Sequence, residues 1–171
     1  IHMTALIVYF FTALVVSFIC SLLESVLLSV SHAHIAVLIK EGKSRGRIMA
    51  SLKENINRPL SAILTINTIA NTVGAAGVGA QTYSVFGSGW VALSSFILTL
   101  SILFFSEIIP KTLGANYTKS LVGFTAYMTR GLIFVVFPMV IVGEKISKSL
   151  KKGDSDKSKA SREELIAMAE L

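Results

Sequence analysis

The chain has 171 residues, 53% of them hydrophobic and only 15% charged, with a formal net charge of +6. Soluble domains carry roughly 25% charged residues, and here the charges are segregated: Glu24 is the only one from Met3 to Ile39, and none falls from Pro59 to Ser106. This excludes an ordinary soluble domain; the basic residues flank apolar runs without interleaved aromatics, which excludes nucleic acid as a partner, and the lone Cys20 excludes an intrachain disulfide framework or cysteine metal cluster.

Residues 1–3 read as a cloning scar followed by the native start at Met3. The first span is predicted from about Thr4 to Val30, longer than the roughly 20 apolar residues needed to cross a bilayer. It lacks the basic leader and small-residue cleavage site of a secretory signal peptide. The polar segment from His32 to Arg58 holds Lys40, Lys43, Arg45, Arg47, Lys53 and Arg58 against Glu41 and Glu54. By the positive-inside rule it faces the cytoplasm, with the N-terminus outside. Ile35, Leu38 and Ile39, then Ile48, Met49, Leu52 and Ile56, recur at near-helical spacing on either side of Glu41-Gly42-Lys43. That pattern predicts a helical hairpin at the membrane surface. His32 and His34 do not share a helical face and read as interfacial.

Asn57-Arg58-Pro59 opens a second helix, with proline in the first turn, where its missing N–H costs nothing. It is expected to reach about Gln81. A turn-rich outer loop, Tyr83 to Gly89, leads to a third span from Trp90 to Ile109 that returns the chain to the cytoplasm near Pro110-Lys111. The stretch Leu121 to Val142 contains Gly123, Arg130, Gly131 and Pro138. A full crossing would carry the lysine-rich tail outside, so a bent or re-entrant juxtamembrane helix is expected. Residues 4–150 thus form one membrane domain and 151–160 a polar linker. Residues 161–171 begin an acidic cytoplasmic helix, with Ser161 as N-cap and Glu163 and Glu164 in the first turn; it stops mid-pattern, so more of the protein is expected to follow. The fold class is an all-α membrane protein with three transmembrane helices.

An ionisable group within a span costs on the order of 2.5–3.5 kcal/mol at the helix centre, so it faces a partner or a wet cavity. In the first span, Ser17, Ser21, Glu24 and Ser25 fall on one helical face. The second supplies Asn67 and Asn71 at i, i+4, with Thr65, Thr68 and Thr72 nearby. The third ends on Ser106 and Glu107, just before Pro110. That proline cannot donate to the Ser106 carbonyl and its ring clashes with it, so a distorted helix is expected at the acid. Hydroxyls, amide oxygens, freed carbonyls and carboxylates are hard donors that suit Mg²⁺, Ca²⁺ or Na⁺ better than zinc or copper. The blander readings are hydrogen bonding between helices for the serines, threonines and amides, and pairing of the acids with Lys111 or Arg130. Gly74, Gly77 and their small neighbours have the spacing of a close helix contact, within the subunit or in a dimer. No histidine lies within the predicted spans to serve a hydrolytic serine, and no enzyme is expected.

Ser21-Leu22-Leu23-Glu24, Asn67 and Asn71, and Ser106-Glu107-Ile108-Ile109-Pro110-Lys111 resemble, in that order, the transmembrane domain of the cyclin M (CNNM), CorB and CorC magnesium transporters. The run IAVLIKEGKSRGRIMASLKENINRPLSAIL after His34 fits as well, so the likeness covers nearly the whole chain. The resemblance implies a plasma-membrane homodimer of three-span subunits that exports Mg²⁺, driven by Na⁺, with nucleotide-binding CBS domains after the acidic helix. By position it implies cation contacts at Ser21, Asn71 and Glu107, and further at Asn67, Ser25 and Gly114. Glu24, Ser17, Ser106 and Lys111 then take supporting or ion-coupling positions. The family usually has glycine where this chain has Ser106, and small residues where it has Leu22 and Leu23. A sensor or scaffold that regulates another transporter is the alternative.

Overall fold

The computed structural model describes residues 2–138. The end of the 121–142 stretch, the linker at 151–160 and the acidic helix opening at 161–171 lie outside the described residues. Helix α1 spans His2–Ser29 and α4 spans Asn57–Phe86. At 1.5 Å per residue these are about 42 and about 45 Å long, enough to cross a hydrocarbon core of about 30 Å. Between them lie α2, His32–Lys40, and α3, Ser44–Glu54. The third long helix, Ser88–Asn116, is continuous but not uniform. After a short 3₁₀ turn it comprises α5, Val91–Ser101, a π-helical segment, Ile102–Ile108, and α6, Ile109–Asn116. Helix α7 follows, Thr118–Val135. The described residues are all-α, with three helices long and apolar enough to span a membrane.

Local chemistry sets the breaks. Ser31 caps α2, its hydroxyl accepting from the His34 N–H at 3.2 Å. Gly42 turns the α2–α3 hairpin at φ +72° and Gly87 joins the second and third spans at φ +85°, a left-handed backbone that side chains disfavour. The expected break at Glu41-Gly42-Lys43 is therefore where the hairpin turns. Lys43 bonds Glu41 across it at 2.6 Å and, by that hydrogen bond first, holds the Glu41 carboxyl below its ordinary range. Helix α4 outruns its expected end at Gln81 by five residues, because Thr82, Tyr83 and Ser84 do not break a helix and Gly87 does.

Helix α1 is the hub. It packs most heavily on α4 and also on the π segment, α6 and α7. The apolar core lies toward the hairpin end, where Leu23 and Leu27 of α1 meet Leu38, Met49, Ile63, Val122 and Ala126. Phe96, Phe104 and Phe105 of the third span stand 60%, 52% and 60% exposed, as a lipid-facing surface requires. The described part of the 121–142 stretch is an unbroken helix to Val135, laid against α3, α4 and α1.

Candidate functional site

Two close crossings fix how the long helices are registered. On α4, a Cβ added at Gly74 would run into Ala13 Cβ, and one at Gly77 would meet the Tyr9 ring. These glycines therefore pack α4 on α1 within the subunit. The pair is antiparallel, so Ser17 comes level with Asn71, and Ser21 comes level with Asn67. The third span runs parallel to α1. Ser106 Oγ donates to the Leu14 carbonyl at 2.9 Å, and Gly114 presses on Ser25 and on the Leu22 carbonyl. In that register Glu107 lies within one helical turn of the Ser17 level.

The backbone at Glu107 is the irregular one. Pro110 stands in the first turn of α6, and the Ile109 N–H reaches the Phe104 carbonyl, five residues back. A π segment of this kind widens the helix and accommodates the donor that proline lacks. The expected distortion at the acid is present, but the helix continues to Asn116 instead of closing at Pro110-Lys111.

Several of the oxygens at this depth have no partner. Ser17 Oγ, Asn67 Oδ1 and Asn71 Oδ1 are buried without a hydrogen bond. Ser17 and Ser21 are 0% and 1% exposed. Among the described residues the Glu107 carboxylate makes no ion pair or hydrogen bond, and neither does the Ser21 hydroxyl. Leaving a buried acceptor unsatisfied costs on the order of 1–3 kcal/mol. Unpartnered hydroxyl, amide and carboxylate oxygens are the donor types a hard cation takes.

The other expected positions are tied more closely to structure. Ser25 Oγ donates to the Lys111 carbonyl at 2.6 Å, a tether between α1 and α6 next to the Gly114 contact. Glu24 faces Lys111 Nζ at a loose 3.8 Å, both side chains partly exposed. Ser106 is fully buried and committed to Leu14. Among the described residues no hydrogen bond joins Asn67 or Asn71 to Ser21 or Glu107, and no group of three or more His, Cys, Asp or Glu gathers. The oxygens are thus brought to common depths, not yet into contact. Helix α4 packs along α5, but it has no comparable contact with the π segment or α6. The two spans draw apart toward the hairpin end, beside the orphaned oxygens.

Sequence reasoning missed two groups. Thr125 and Thr129 of α7 are fully buried with unpartnered hydroxyls, on a helix packed against α1 and α4. Their i, i+4 spacing was the available signal. The run Gly42-Lys43-Ser44-Arg45-Gly46 spells a Gly-x-Ser-x-Gly pattern, yet it joins helix to helix, without the preceding strand that a nucleophile elbow uses.

Residues 7–171 match the cyclin M transmembrane N-terminal domain. A UPF0053 protein of Synechocystis sp. is 32% identical over 76% of this chain and 38% of its own length. A UPF0053 protein of Haemophilus influenzae is 29% identical over 83% of this chain and 35% of its own. The UPF0053 inner membrane protein YfjD of Escherichia coli is 23% identical over 75% and 30%. The chain therefore spans well under half the length of each of these relatives.

Proposed function

Because the chain belongs to the cyclin M family, a multi-pass membrane family matched over residues 7–171, we propose that it carries Mg²⁺ across the plasma membrane. The direction is export and the driving ion is Na⁺. The observation that carries this reading is the set of unpartnered oxygens, Ser17, Asn67 and Asn71, brought level with Ser21 and an unpaired Glu107. Magnesium gives up water reluctantly and demands octahedral oxygen ligation at about 2.0–2.1 Å, so only a preformed cage of hard donors competes with its hydration shell.

Glu107 supplies the negative charge, on a π-distorted turn whose backbone is already displaced from regular pairing. Asn71 and Ser17 contribute oxygens at its depth, and Asn67 and Ser21 form the next station toward the hairpin end. Mg²⁺ enters from that end, where α4 and the third span separate. Glu24, which faces Lys111 of α6, stands on the same α1 face as Ser21 and Ser25. Sodium binding at Glu24 displaces the lysine and biases the opposite-facing state. The N-terminus is outside and the C-terminus cytoplasmic, in keeping with the basic hairpin and with a relative named as an inner membrane protein. A homodimer and cytoplasmic CBS domains complete the functional unit.

Purified protein in liposomes with a trapped Mg²⁺ dye separates transport from the scaffold reading. Transport predicts Mg²⁺ flux that rises with an opposing Na⁺ gradient. A regulator of some other transporter gives none.

A further inference from the structure

A cleft lies away from the proposed ion site, where α3, the first turn of α4 and α7 meet. Its volume is about 580 Å³, and three arginines line it: Arg47 on α3, Arg58 on α4 and Arg130 on α7. Among the described residues of the lining, Glu54 is the one acid that opposes them. Arg47 and Arg130 make no ion pair among the described residues, and the Arg58 guanidinium lies 5.5 Å from the centroid of the Phe137 ring. The Arg47 and Arg130 guanidinium forks, facing one cavity, match the oxygens of a phosphate, and the Arg58 charge beside them adds to the field.

The surroundings say what carries that phosphate. Leu52, Pro59 and Ile133 form an apolar lining beside the arginines. Pro59 also begins the uncharged run of α4, which places the cleft at the membrane boundary. Just beyond Arg130, Phe134 and Val135 project 84% and 70% exposed. A soluble phosphate has no use for apolar surface in and beyond the cleft, whereas an acyl chain does. Basic pockets beside the ends of spanning helices suit anionic headgroups. We propose that this cleft binds the phosphate headgroup of an anionic phospholipid, with its chains along Phe134 and Val135. The proposal is independent of which ion the protein moves.

The test uses full-length protein in nanodiscs of phosphatidylcholine, with or without phosphatidylglycerol, followed by intrinsic-fluorescence melting. Phosphatidylglycerol is expected to raise the midpoint of the native protein by a few degrees. The double variant Arg47→Gln/Arg130→Gln is expected to lose most of that gain, and Arg130→Lys, which keeps charge without the fork, to lose part. Lys40→Gln/Lys43→Gln, equally basic but remote, should keep it. An undiminished gain in the Arg47→Gln/Arg130→Gln variant overturns the proposal. So does an equal gain from inorganic phosphate in pure phosphatidylcholine, which would make the ligand a soluble anion.

Discussion

The hydroxyl of Ser106 crosses from the π segment to the Leu14 carbonyl, while the next side chain, Glu107, makes no such bond among the described residues. One residue anchors the turn and its neighbour is left available. Replacing Ser106 by alanine removes a neutral hydrogen bond worth about 1 kcal/mol. A modest fall in melting midpoint is expected, with flux reduced less than by any change at Glu107; an unchanged midpoint would show that the tether contributes nothing. Glu107, Asn67 and Asn71 were legible in the sequence because an acid or paired amides in an apolar run are expensive and call for a reason. The weight on Ser17 was not. Which of two serines, one turn apart, shares a depth with Asn71 depends on how α1 and α4 are registered, and no single helix contains that information.

The α1–α4 crossing depends on the absence of a side chain. A Cβ at Gly74 would overlap Ala13 Cβ, so Gly74→Ala must push the helices apart. Overpacking of this kind costs roughly 1–3 kcal/mol. If the crossing is as described, Ala13→Gly in the same chain restores much of the loss, a coupling that a thermodynamic double-mutant cycle reads directly. Two independent, additive effects would contradict the register on which the depth argument stands. The third span shows the limit of local reading. Pro110 forecasts the distortion and the apolar run forecasts a span from Trp90 to Ile109, whereas a π turn places the proline in the first turn of α6 and lets the helix run on to Asn116.

At the scale of the molecule, charge segregation was enough to count three spans and to set the hairpin apart, because each apolar run must satisfy its backbone as a helix. It did not identify α1 as the hub that the other spans and α7 pack against. That assembly brings polar groups from three helices to common depths, and α4 and the third span separate toward the hairpin side. The central claim is that this region moves Mg²⁺ on the charge of Glu107. Glu107→Gln keeps the shape and removes the charge, so Mg²⁺ flux in proteoliposomes should fall to the level of protein-free vesicles while the melting midpoint stays near that of the native protein. Flux that is undiminished in the folded Glu107→Gln variant would contradict the account.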